Sequence, residues 1–363
     1  MTAFQRRSPH SKLSQMYPFS YLKPITSASK IRYLNPKLPR SGVKQDMHVH
    51  TPLLFSEALS ALAGTKIWLK MDALQPTGSF KIRGIGHACK VYAEQGCTGF
   101  VSSSGGNAGI SAAYAGRELG LPVQVFVPET TTALAIQQIQ QYQAEVIVTG
   151  ASWQEANEAA QGALTDELAF IHPFDDPLLW QGHATLVDEI IADDVRPDAV
   201  ITVAGGGGLY CGIAQGLKRT GLDATEIYVA ETSGADSFAK ALLAGELVTL
   251  PAITSVATSL GARTVCAEAL ALAQSSNTIS VVISDDEAVQ ACRQFLDDHR
   301  ILVEPACGAA LALIYQAHVD LSKHDCVAIE ICGGTTTNLA SLASHPGWLH
   351  RSTANTQRSS ITS

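Results

Sequence analysis

Between residues 66 and 338 the sequence alternates short apolar runs with stretches of helical period, and that alternation leaves few folds open. The apolar runs fall at residues 66–71, 99–103, 122–127, 145–149, 169–171, 199–204, 226–230, 281–284 and 327–332. Helical period marks 81–94, 107–119, 132–142, 153–166, 178–191, 209–218, 285–299 and 307–318. Continuous rather than alternating apolar character in the runs means strands covered on both faces, which is the mark of parallel sheets built from βαβ units. The expected class is therefore α/β, with open, twisted, mostly parallel sheets flanked by helices.

Four strand-to-helix junctions are rich in Gly, Ser or Thr: 77–79, 102–109, 205–208 and 333–337. In open α/β sheets the carboxyl ends of strands gather around one crevice, so these junctions are expected to face a common ligand. At the first, Lys81 opens a helix, where a cation opposes the macrodipole and gains little. Its pKa is expected to fall, favouring a nucleophilic neutral amine able to condense with a carbonyl cofactor. A solvated lysine on an amphipathic helix is the plainer alternative at this stage. Gly205, Gly206, Gly207 and Gly208 join a buried run to a helix, so backbone N–H groups converge on a phosphate without side chains in the way. A dinucleotide site of the G-x-G-x-x-G kind is disfavoured even though Glu231 lies near the required offset, because it leaves the lysine junction without a role. The turn from Ser102 to Gly109 offers hydroxyls and free amides to a carboxylate. Asn107 there reads equally as a donor to a planar cofactor's ring oxygen or as a helix cap.

The chain of 363 residues is 46% hydrophobic and 16% charged, enough for a sizeable core and two domains. No apolar run approaches a membrane span. Residues 1–45 hold nine Lys/Arg and no Asp or Glu, while the rest holds 16 basic against 33 acidic side chains. An acidic body of that kind argues against nucleic acid as a partner. The leader, 1–46, reads as a disordered tail, an organelle transit peptide or an over-extended reading frame upstream of Met47. A cytoplasmic location is expected, or a mitochondrial one if the leader is a transit peptide. Residues 347–363 read as a polar, disordered end. Eight dispersed cysteines, with no CxxC pair or zinc spacing, are expected to be reduced and mostly buried. Asp175 and Asp176 before Pro177 are expected to shape a turn, and Glu304 before Pro305 to favour a helix start.

The motifs GSFKIRG, SSSGGNAG, PFDDP, AGGGGLYCG, ILVEPACGAALA and ICGG, in this order and at these spacings, resemble the L-serine dehydratase and threonine deaminase family. The resemblance covers roughly residues 51–344. It implies pyridoxal-phosphate enzymes of fold type II, the tryptophan-synthase-β-like fold, with the cofactor in the cleft between two domains. Residues 47–75 with 178–346 correspond to the large domain, and 76–177 to the small one. By the same resemblance Lys81 carries the cofactor covalently, Phe80 packs on its ring, Gly205–Gly208 with Leu209 hold its phosphate, Asn107 bonds its ring oxygen and Cys332 faces its pyridine nitrogen. Ser104, Gly105, Gly106, Asn107 and Ala108 correspond to the grip on the substrate carboxylate. Gly205, Glu231, Ala235, Ser237, Leu260 and Ala262 match positions that ligate potassium in relatives, and a homodimer is implied.

A thiol at Cys332 donates a hydrogen bond but leaves a ring nitrogen largely unprotonated, which favours loss of a β-substituent over transamination. Related racemases carry an acid/base serine where this sequence has Gly105, so racemisation is disfavoured and the added space leaves substrate preference open. The expected reaction is deamination of L-serine to pyruvate and ammonia, with L-threonine giving 2-oxobutanoate and Lys81 as general base. A dedicated threonine deaminase, a β-replacement synthase of the same fold and a non-catalytic binding homologue stand as alternatives.

Overall fold

The computed structural model describes residues 46–349. In chain order its strands are β1 (Leu53–Phe55), β2 (Lys66–Lys70), β3 (Gly99–Ser102), β4 (Val123–Val127), β5 (Glu145–Val148), β6 (Leu168–Ile171), β7 (Ala199–Val203), β8 (Glu226–Thr232), β9 (Thr278–Ile283) and β10 (Cys326–Glu330). They form two sheets. The larger has the order β1-β2-β10-β7-β8-β9, parallel except for β1 against β2. The smaller, β5-β4-β3-β6, is wholly parallel. Central strands such as β3 and β7 are buried along their whole length, as helices on both faces require. One large apolar core runs through both sheets, from Phe100 and Val125 to Val200 and Ile329, and a small satellite of Val101, Phe126 and Ala160 lies beside the smaller sheet.

The alternation in the sequence therefore located the sheets, and the differences have local causes. β9 begins at Thr278 rather than at 281 because it is an edge strand whose polar Thr278 and Ser280 interrupt the apolar run. The helix expected over 153–166 stops at Gly162, with Ala163 as its C-cap. The short antiparallel strand β1 and the helices Glu57–Ala63, Ser237–Ala244 and Ala267–Ser275 were not anticipated. The expected disordered end does not include residues 347–349. Residues 347–349 belong to the helix Pro346–Leu349, opened by a proline and held where Arg293 Nη1 donates to the Trp348 carbonyl at 2.6 Å. Residues 350–363, and the basic leader up to residue 45, lie outside the described residues. Asp46, counted with the leader above, is described and meets Lys90 at 3.4 Å. Among the described residues no helix is long and apolar enough to cross a membrane. All eight cysteines are free, and six are buried.

The helix that Lys81 opens, Lys81–Glu94, is fixed to the larger sheet by a buried ionic cluster. Arg83, fully buried, donates from Nε and Nη2 to the two oxygens of Asp72 at 2.7 and 2.8 Å. It also donates from Nη1 and Nη2 to the two oxygens of Glu189, both at 2.7 Å. Lys70, at the end of β2, reaches Glu189 at 2.6 Å and the Thr51 carbonyl at 2.7 Å. Two cations and two carboxylates thus balance, and the Arg83 fork meets both acids bidentately. Removing one member strands the others without water, so Arg83→Ala is expected to cost about 3–5 kcal/mol. Denaturant unfolding followed by far-UV circular dichroism checks this; an unchanged midpoint would show that the cluster bears little on the fold.

Candidate active site

Lys81 is the first residue of its helix, and the segment before it is zipped to the chain that leaves β10. Ser79 bridges Gly333, Phe80 N–H donates to the Cys332 carbonyl at 3.2 Å, and Gly334 N–H donates to the Gly78 carbonyl at 2.8 Å. These bonds set Lys81 beside Cys332. The lysine Nζ lies 5.1 Å from the centre of the Phe80 ring and donates to the Pro173 carbonyl at 2.6 Å. Burial pushes the amine down to about 8, against the upward pull of Glu304 and Cys332. Near neutral pH a sizeable fraction of Lys81 is therefore the free amine that nucleophilic attack needs. The Cys332 thiol moves the other way. Its hydrogen bond with Cys307, together with burial and the nearby Glu330 and Glu304, raises it well above an ordinary thiol, so it stays neutral.

The four glycines lie between β7 and the helix Gly208–Arg219, and packing rather than flexibility explains each of them. A Cβ on Gly206 would stand 2.1 Å from the Phe174 ring, and one on Gly208 would stand 2.5 Å from the Phe174 carbonyl oxygen. Gly207, with φ at 92°, occupies the left-handed region as the helix N-cap. Among the described residues the amides of Gly206, Gly207, Gly208 and Leu209 donate to nothing, although all four residues are buried. Buried N–H groups pointing from a helix start make a cradle that suits a phosphate. Phe174 is itself held by Trp180, whose Nε1 donates to its carbonyl at 2.8 Å. The Pro173–Phe174 pair thus touches both the lysine and the cradle.

Asn107 begins the helix Asn107–Leu119 but does not cap it; Gly106 is the N-cap and no side chain serves there. The capping alternative is thereby removed. The Asn107 side chain is buried, with Nδ2 donating to Glu304 Oε1 at 3.0 Å and to Ser259 Oγ at 3.4 Å. Its Oδ1 accepts from Thr335 N–H at 3.0 Å. The loop before it keeps Ser104, Gly105 and Gly106 partly exposed, and Ser104 Oγ accepts from Gly106 N–H at 3.3 Å. Gly105 does not open extra room. A Cβ there would stand 2.9 Å from the Thr131 methyl, so Thr131 takes up the space that a side chain at 105 would use. Ala108 is buried just inside the helix.

Glu304 is a site residue hidden by its sequence context. It holds the N-cap position of the helix Pro305–Tyr315 as expected, yet its side chain makes no cap bond and turns into the site. There it accepts from Asn107, and from Thr336 Oγ1 at 2.9 Å. Asp176, by contrast, serves local structure: it caps the helix Pro177–Ala192 and accepts from Tyr92. Of the residues matched to a cation, Gly205 packs against Leu260, while Glu231 accepts the Phe238 and Ala239 amides at 2.9 and 2.7 Å. Ala235 bridges Thr232, the Ser237 hydroxyl is buried without a partner among the described residues, and the Ala262 amide donates to Leu260. Among the described residues no three His, Cys, Asp or Glu side chains group as metal ligands.

A near-neutral lysine, a cradle of unpaired amides, a buried amide and a neutral thiol at the strand ends of a parallel sheet define a pyridoxal-phosphate enzyme of the tryptophan-synthase-β-like class, and the residues present fit that cofactor. The chain belongs to the pyridoxal-phosphate dependent enzyme family, whose sequence profile matches residues 45–333. It is 48% identical over 312 residues to the mouse (Mus musculus) L-serine dehydratase/L-threonine deaminase, covering 83% of this chain and 95% of that protein. It is 49% identical over 317 residues to a human serine dehydratase-like protein, covering 84% and 96%. Among solved structures it is similar to a fungal L-serine ammonia-lyase from Rhizomucor miehei, with a TM-score of 0.78 at 32% identity over 82% of this chain and 98% of that one. Maize serine racemase matches with a TM-score of 0.76 at 25% identity, over 81% and 91%.

Because the Phe174 ring leaves no room for a Cβ at position 206, Gly206→Ala is expected to displace the cradle and weaken cofactor retention at least tenfold, about 1.4 kcal/mol. Equilibrium dialysis of pyridoxal phosphate, with circular dichroism to confirm the fold, reads this out.

Proposed function

We propose that this protein is a pyridoxal-phosphate-dependent ammonia-lyase that converts L-serine to pyruvate and ammonia, and L-threonine to 2-oxobutanoate. The observation that carries the reading is the lowered Lys81 amine set beside Cys332, in a chain 48% identical to a serine dehydratase/threonine deaminase. When bound, pyridoxal phosphate supplies an electron sink conjugated to the substrate α-carbon.

The chain's own residues supply the rest. The amides of Gly206, Gly207, Gly208 and Leu209 hold the phosphate, and the Asn107 amide offers a hydrogen to the ring oxygen. The start of the helix Asn107–Leu119, with Ser104 through Ala108, presents its first amides and the Ser104 hydroxyl, which accepts from the Gly106 N–H, to the substrate carboxylate. Lys81 Nζ, neutral in a large fraction near pH 8, takes the proton from the substrate α-carbon. The neutral Cys332 thiol brings no negative charge to the ring nitrogen, which limits electron withdrawal and favours prompt elimination. Gly105 has no proton to return from the opposite side, consistent with elimination rather than racemisation. The reading also includes a homodimer, checked by sedimentation, and a monovalent cation beside Glu231. That carboxyl group is fully buried, and burial pushes it up to about 8 despite two backbone N–H bonds; a neighbouring cation would offset the penalty.

Lys81→Ala is expected to abolish both turnover, assayed by dehydrogenase-coupled detection of pyruvate and 2-oxobutanoate, and the visible absorbance of the bound cofactor. Because attachment needs the neutral amine, the rate at which apoprotein takes up pyridoxal phosphate is expected to rise with pH through a midpoint near 8. Glu231 binds its proton more tightly in the folded state than in the unfolded one. Its contribution to stability is therefore present at low pH and lost as pH rises through about 8. Melting curves in cation-free buffer are expected to show that decline, with potassium or Glu231→Gln lessening it.

A further inference from the structure

Glu304 is only 3% exposed, and a carboxylate that deep is costly unless something needs it. Its bonds join three separate parts of the chain: Asn107 at a helix start, Ser259 in the 258–260 turn and Thr336 after β10. Gly334 leaves room for it, since a Cβ at that position would stand 1.9 Å from the carboxyl carbon. The consequence falls on Asn107. An amide group can be turned either way, but here Glu304 accepts from Nδ2 while Thr335 N–H donates to Oδ1, so only one orientation satisfies both. One Nδ2 hydrogen goes to Glu304 at 3.0 Å; the other meets Ser259 Oγ at 3.4 Å, a long bond that a stronger acceptor displaces at little cost. The titratable groups facing Glu304 are Lys81 from its helix, Cys332 after β10 and Cys292 from the helix Asp285–His299. Lys81 is faced in turn by Glu304, Cys332, His172 and His183. Of these only Glu304 is an acid that hydrogen-bonds Asn107 directly, and its own N–H donates to the Gly333 carbonyl at 3.4 Å, on the segment that Ser79 bridges just before Lys81.

We propose that Glu304 is a positioning residue for this reaction: it aims the second hydrogen of the Asn107 amide at the cofactor's ring oxygen and sets a compensating charge beside the Lys81 amine. The proposal rests on the site taking pyridoxal phosphate. It assigns two separable duties, an acceptor that orients Asn107 and a charge that raises the basicity of Lys81.

Glu304→Gln keeps an acceptor and removes the charge, whereas Glu304→Ala removes both. Apoprotein of each is titrated with pyridoxal phosphate across pH 6–10, following cofactor absorbance for rate and affinity, with thermal melting to confirm folding. The Gln variant is expected to keep affinity within about threefold at its best pH, while the midpoint of the uptake rate moves down by on the order of one pH unit. The Ala variant is expected to bind at least tenfold more weakly. An unmoved midpoint in Glu304→Gln overturns the proposal, and that variant decides it alone if the Ala form does not fold. Wild-type affinity in a folded Ala variant overturns it as well. If wild-type apoprotein takes up no cofactor, the reading of the whole site fails and this proposal falls with it; uptake by wild type with unaltered variants removes only the role of Glu304.

Discussion

The paired bonds of Arg83 to Asp72 and Glu189 are the constraint on which the site depends. Arg83 follows Lys81 by two positions on the same first helical turn. Asp72 follows the end of β2 with one residue between, and Glu189 lies on the helix Pro177–Ala192, which packs on the lysine helix and on the helix Gly208–Arg219. Fixing the guanidinium therefore fixes the direction in which the lysine leaves its backbone. A hydrophobic substitute would fill the space, but it would not specify angle and register as a planar five-donor fork does. Thr51 joins the same cluster through its hydroxyl, which ties the first described residues to the lysine helix.

With that direction fixed, the reactive groups owe their character to dehydration tempered by a few neighbours. Lys81, Glu304 and Cys332 are each shifted toward their neutral forms, and each pulls partly on the others. Of the three, Lys81 is brought near neutral pH, where it can exchange a proton, while the thiol stays protonated. The parallel sheets bring this about by placing the ends of β7 and β10 side by side, so that the glycine cradle and the thiol arise from neighbouring strands.

What the sequence disclosed was whatever chemistry is local. Strands buried on both faces declare themselves as apolar runs, four glycines in a row have few uses, and a lysine at a helix start is visibly out of place. The matched motifs then supplied the family. What stayed hidden depends on partners far away in the chain. Glu304 meets Asn107 across 197 positions, so before Pro305 it looked like helix punctuation. Gly105 looked like added room because Thr131, on another loop, is not its neighbour in sequence. Arg83 stood in plain view within the lysine motif, but its meaning lies in Glu189, 106 positions on. The helical residues 347–349, Gly-Trp-Leu, were missed because so short a segment shows itself only through what it docks on.

The bond from Lys81 to the Pro173 carbonyl carries one more consequence. A lysine that lets go of a cofactor has to rest somewhere, and in a dry crevice a bare amine or ammonium without a partner is unfavourable. A backbone carbonyl only accepts, so it receives a hydrogen from the amine and from the ammonium alike. Pro173 thus gives the side chain a perch indifferent to its charge, next to the Phe174 ring that abuts the glycine cradle. The backbone at Pro173 thereby fixes where the lysine side chain rests when its amine is free.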